Sequence, residues 1–152
     1  MSRPLPDGGS GLVTGREHTE EGPMAVRRLT AEGSAPAGVV WERYAVIERW
    51  PGWSPQIRRV EADADRIARG VTGTVHALGG LRLRFTVTDV DPVARRWSWL
   101  VRLGPVRMDL HHDVRAVPGG GSATGLAIEG PSAVVTAYAP LAWVALSRLV
   151  AR

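Results

Sequence analysis

The sequence predicts an α+β domain in which a curved antiparallel sheet is covered on its apolar face by a C-terminal helix. Two observations carry that prediction. Between Ile57 and Glu129, short stretches of alternating apolar and polar residues are divided by Gly79-Gly80, Asp91-Pro92, Gly104-Pro105 and Gly119-Gly120-Gly121, the pattern of antiparallel hairpins with one buried face. From Ser132 to Arg152 the chain is apolar and Ala-rich with helical spacing, and such a helix buries the apolar face of a sheet.

Met1 to about Pro23 is rich in Gly, Pro, Ser and acids and has no hydrophobic period, so residues 1–23 are expected to be a disordered extension ahead of a single domain, 24–152. Met24 stands where the ordered pattern begins. Translation is therefore expected to start there, and N-terminal mass analysis of the native protein checks it. Ala25 to Glu32 reads as a first strand, and Ser34-Ala35-Pro36 supplies cap and first-turn residues for a short helix from Val39 to Ile47. The Pro-Gly pair of Trp50-Pro51-Gly52-Trp53 must then turn the backbone sharply. Large indoles beside a turn suit a lid on an apolar interior, and they equally suit plain core anchors.

Strands are expected over Ile57 to Ala62 and Val71 to Leu78. In the next strand Leu81, Leu83, Phe85 and Val87 share a face, and strict alternation carries Asp89 onto it. Trp97, Trp99, Val101 and Leu103 share a face of the following strand. Its neighbour turns Val106, Met108, Leu110, His112 and Val114 inward, and Thr124, Leu126 and Ile128 share a face of the last strand. In the terminal helix Val134, Tyr138, Leu141, Ala145 and Leu149 lie close to one face, and Pro140 is expected to kink or restart it.

With 152 residues the chain is long enough to enclose a proper core or a cavity. No apolar run is expected to reach the roughly 18 residues of a membrane span, and the first residues lack the apolar stretch of a secretory signal. A soluble, cytoplasmic protein is expected. The absence of cysteine excludes disulfides, thiolate nucleophiles and Cys-ligated zinc. The net charge of +4 rests on nineteen basic residues that are all Arg, and with no Lys or Asn this skew fits the codon bias of a GC-rich genome. The arginines are spread among acids rather than clustered, so no nucleic-acid partner is expected. His111-His112 are adjacent and point to opposite faces of a strand, which gives no metal-ligand pair. No phosphate-binding loop or nucleophile elbow is present, and no cofactor is expected.

The runs VVWERYAVIERWPGWSPQI, Arg69-Gly70 with Gly73, FTVTDVDPVARRWSW, and LHHDV followed by PGGGSAT resemble the START-related, Bet v 1-like (SRPBCC) superfamily, which includes polyketide cyclase/dehydrases and pollen-allergen-like lipid carriers. The resemblance covers about Ala25 to Arg152. It implies a helix-grip fold, in which a seven-stranded antiparallel sheet wraps around a long C-terminal helix, with short helices after the first strand and a cavity between sheet and helix. Two departures from the usual pattern, Pro140 and the shortness of the terminal helix, bear on the position of that helix and the size of the cavity.

On that frame His112 is the leading candidate for chemistry, because its face looks into the grip, where an imidazole could donate to a carbonyl or shuttle a proton. A core imidazole bonded to a neighbour fits the same pattern. Asp89 is a second candidate, as a cavity acid, and Tyr138 a third, as a phenol presented from the inner stripe of the terminal helix. Tyr44, Trp53, Phe85, Trp97, Trp99, Met108, Leu110 and Leu141 are expected to line a ligand site. The expected function is binding of a lipid-like or polyketide-like hydrophobic molecule. The alternative is a polyketide cyclase or aromatase, in which the cavity folds a reactive chain while His112, Tyr138 or Asp89 assist proton transfers. Monomer and homodimer both stay open.

Overall fold

The computed structural model describes residues 23–152, so the extension expected over 1–23 falls, but for Pro23, outside the described residues. The elements are β1 (Met24–Gly33), α1 (Ala37–Ala45), a 3-10 turn (Ile47–Arg49), α2 (Trp50–Trp53), β2 (Ile57–Ala62), β3 (Thr72–Ala77), β4 (Arg82–Asp91), β5 (Arg96–Leu103), β6 (Val106–Ala116), β7 (Ser122–Pro131) and α3 (Ser132–Leu149). All seven strands join one antiparallel sheet in the order β1-β7-β6-β5-β4-β3-β2. Strands β2 to β7 are thus a meander of hairpins, and α1 and α2 carry the chain from the β1 edge to the β2 edge. This is the helix-grip architecture, with α3 laid against β1 and β7.

The alternation read from the sequence sets the two faces of the sheet. Phe85, Val87, Trp97, Trp99, Val101, Leu110, His112, Leu126 and Ile128 are all buried on the face toward the helices. One strand departs from it. The β4–β5 register shifts between Val87 and Asp89, where a β-bulge at Thr88 puts one extra residue into β4. Beyond the bulge the faces exchange: Val90 pairs with Trp97, and Asp89 pairs with Ser98 on the outer face, where it is exposed. The expectation of a cavity acid at Asp89 is therefore corrected, because a single bulge reverses every side chain that follows it.

α1 begins at Ala37, with Pro36 as its N-cap residue in extended conformation. The two indoles of the Trp-Pro-Gly-Trp corner finish the other end of that helix. Trp50 Nε1 donates to the Tyr44 carbonyl at 2.9 Å and Trp53 Nε1 to the Arg43 carbonyl at 3.0 Å, satisfying carbonyls that a helix leaves open in its last turn.

α3 corrects three expectations. It is 18 residues long with a mean hydropathy of 1.2, enough by length and composition to cross a membrane, whereas no run of that kind was expected. Here it lies along β1 and β7 with a third of its residues buried. It also runs unbroken through the exposed Pro140. Its buried stripe is Val135, Ala139, Ala142, Ala145, Leu146 and Leu149, while Leu141 is 47% exposed. The helix is apolar on nearly every side, so its period does not choose a face. The small Ala142 and Ala145 face the tryptophans of the sheet, where a leucine would compete with the indoles for space. The C-terminal end is pinned: Arg43 Nη1 donates to the Leu149 carbonyl at 2.6 Å and to that of Ala151, and the Ala35 N–H donates to the Val150 carbonyl at 3.0 Å.

Candidate functional site

Seven aromatic rings form one cluster between the sheet and the helices. Trp97 stacks on His112 with centroids 4.4 Å apart, and Trp50 stacks on Trp97 at 5.6 Å. Trp99 meets Trp50 edge-on at 5.0 Å and Phe85 at 5.4 Å. Tyr44 presents its edge to Trp53, Trp97 and His112. These contacts fill most of the interior of the grip.

Two voids remain beside the cluster. The smaller, about 20 Å³, is bounded by Trp97, Trp99, His112, Gln56 and Tyr138 below Ala142 and Leu146. The larger, about 70 Å³, is bounded by Trp99, Val101, Met108, Leu110, Leu83 and Tyr138. Gln56, Ile57, Trp99 and Tyr138 line both, so the voids are two lobes of one cleft, with Tyr138 and Gln56 at their junction. Among the described residues, no Arg, Asp or Glu lines either lobe.

Burial sets the protonation of the groups in this region. It holds the His112 imidazole down to about 3, helped by the neighbouring His111 and opposed by an interaction with the Trp97 backbone. A desolvated imidazole loses the charged form first. Burial likewise pushes the Tyr138 phenol up, with Gln56 opposing, and pushes the Tyr44 phenol far above its ordinary range. All three groups are neutral near pH 7.

Of the residues singled out in the sequence, Trp53, Trp97, Trp99, His112 and Tyr138 meet at the cleft, and Met108 and Leu110 form the floor of the larger lobe. Phe85 is buried beneath Trp99 and touches neither lobe. Tyr44 is fully buried, and its hydroxyl is committed to the protein at 2.6 Å from Thr124 Oγ1. Thr124 spends its one proton on the Asp113 carbonyl, 2.8 Å away, so Tyr44 is the donor of that pair. Leu141 and Asp89 lie outside the cleft, on the outer faces of α3 and of the sheet. Missed from the sequence are Gln56 at the junction of the lobes, along with Ser54 and Ile57 beside it and Ala142 and Leu146 above. Gln56 follows Pro55 in a loop, where neither alternation nor helical spacing marks a side chain as inward.

The comparisons with known proteins agree with the fold. The crystal structure of Ara h 8.0201 superposes with a TM-score of 0.68 at 13% identity, over 84% of this chain and 95% of that one, a likeness of fold. No curated protein matches by sequence. The family model described as polyketide cyclase / dehydrase and lipid transport matches residues 24–151, the whole of the sheet and all three helices. A helix-grip domain with an uncharged aromatic cleft and a family match over nearly its full length belongs to that polyketide cyclase / dehydrase and lipid transport family.

Proposed function

We propose that the protein binds an apolar small molecule in the cleft between α3 and the sheet, with Trp97, Trp99, Met108, Leu110 and Trp53 as its walls and Tyr138 as the movable side. The observation that carries this reading is the pair of uncharged lobes that meet at Tyr138 and Gln56. Ligand sites are mostly apolar with few polar groups, and this cleft has that composition. Its size adds a condition. A cavity of about 150 Å³ takes benzene, and the lobes, about 70 and 20 Å³, are each smaller. Tyr138 is only partly buried, and swinging its ring outward joins the lobes and adds the volume of the phenol.

A cyclase reading draws support from the family description. Binding is better supported, because an imidazole whose conjugate acid titrates at about 3 is a weak base, and Asp89 faces away from the cleft. The test is a titration of the protein with naphthalene, followed by NMR. Shifts in the methyl signals of Met108, Leu110 and Val101 are expected. If these stay still at saturating naphthalene, in the wild type and in Tyr138→Ala alike, the reading is overturned.

A further inference from the structure

Four buried polar atoms have no partner in the protein and belong to side chains around the smaller lobe: Trp97 Nε1, Trp99 Nε1, His112 Nδ1 and Gln56 Oε1. Trp97 is 2% exposed, His112 7% and Trp99 8%, so bulk solvent does not reach these groups. Two other indoles find partners within the protein, since Trp50 and Trp53 both donate to backbone carbonyls. Buried polar groups in folded proteins are nearly always paired, and each one left alone loses the hydration it had in the unfolded chain. Four such atoms, on side chains that line one void, mark a place for a hydrogen-bonding guest.

We propose that the smaller lobe is a polar subsite for an uncharged hydroxyl group, so that the ligand is a neutral apolar alcohol or phenol with its hydroxyl among Trp97, Trp99, His112 and Gln56 and its apolar body in the larger lobe. This rests on the binding reading above. The chemistry of the four atoms selects the group. An indole N–H only donates and an amide oxygen only accepts, so the guest must offer both a lone pair and a proton. A hydroxyl does both. The neutral His112 nitrogen serves in either sense according to its tautomer. A hydrocarbon leaves all four atoms unpaired. A carboxylate offers no proton, and its charge meets no cation, since no Arg lines the cleft and the imidazole stays neutral. The void of about 20 Å³ holds a group the size of one water, which suits a hydroxyl and excludes a ring.

The test compares phenol, toluene and benzoate at pH 7 on the full chain, reading the indole N–H signals of all six tryptophans by NMR. Phenol is expected to bind at least tenfold more tightly than toluene and to shift the Trp97 and Trp99 indole signals while leaving those of Trp50 and Trp53 in place. Benzoate is expected not to bind. Trp99→Phe should narrow the ratio of phenol to toluene affinity to threefold or less. Equal binding of toluene and phenol with unmoved indole signals overturns the subsite and leaves the apolar cleft standing. No binding of any of the three, in the wild type and in Tyr138→Ala, overturns both. Indole protons that keep contact with a long-lived water at saturating phenol identify a structural water site and also overturn the proposal.

Discussion

The imidazole of His112 lies flat on the indole of Trp97, with ring centroids 4.4 Å apart and planes 10° apart, and this stack keeps the imidazole out of water. Its charged form is therefore excluded down to about pH 3, against an ordinary value of 6.5. Between those values the unfolded chain binds a proton that the folded chain refuses. The contribution of His112 is full above pH 6.5 and is lost as the pH falls toward 3, by up to ~1.4 kcal/mol per pH unit. Urea melts from pH 7 to pH 4 should show a falling stability that His112→Gln flattens. The Glu42 and Glu61 carboxyls, held low chiefly by Arg66 and Arg59, add their own losses only below their ordinary 4.5.

The indole of Trp50 closes the last turn of α1 by donating to the Tyr44 carbonyl. Trp50→Phe removes that donor and leaves space inside the aromatic cluster, at an expected cost of about 2–4 kcal/mol. Trp53→Phe, at a half-buried position, should cost about 1 kcal/mol. Chemical denaturation of the two variants checks the order.

Tyr44 and Thr124 form a directed chain ending on the Asp113 carbonyl. Tyr44→Phe removes one link and should cost about 1 kcal/mol, while Thr124→Val strands both the Tyr44 hydroxyl and the Asp113 carbonyl and should cost about 2–3 kcal/mol. The double variant is expected to fall short of the sum, because both changes break the same chain.

Tyr138 separates the two lobes. Tyr138→Ala should join them and raise affinity for naphthalene by roughly tenfold, whereas Tyr138→Trp should lower it by a similar factor, as burial of about 50 Å² of apolar surface implies. Fluorescence titration reads both changes.

Gly33 holds β1 against the end of α3. A Cβ there would stand 2.3 Å from the Val150 carbonyl oxygen, so Gly33→Ala must push the helix terminus away from Ala35 and Arg43. The expected loss is about 1–3 kcal/mol, read as a lowered denaturation midpoint. Gly52, whose Cβ would meet nothing within 4 Å, supplies the control: Gly52→Ala should change stability far less.

What the sequence determined by itself was the alternation of its strands. Period-two patterning assigned Trp97, Trp99, Met108, Leu110 and His112 to one face, and that face is the one the helices cover, because a sheet with one apolar face must bury it. It likewise determined the hairpin turns at Gly79-Gly80, Gly104 and Gly119-Gly120, where glycines take positive φ. The sharp turn expected at Pro51-Gly52 is instead one turn of helix, α2, because proline is accommodated in the first turn of a helix. Three matters were decided only by tertiary structure. The bulge at Thr88 moved Asp89 outward, and no residue type marks it, since a bulge is a property of two paired strands. The rotation of α3 placed Ala142 rather than Leu141 over the cleft, because a helix apolar all round is oriented by the shape of what it meets. The partners of the indoles are the third. Trp50 and Trp53 found carbonyls at the end of α1 while Trp97 and Trp99 found none, and hydrogen bonding depends on atoms brought together by packing rather than on order along the chain.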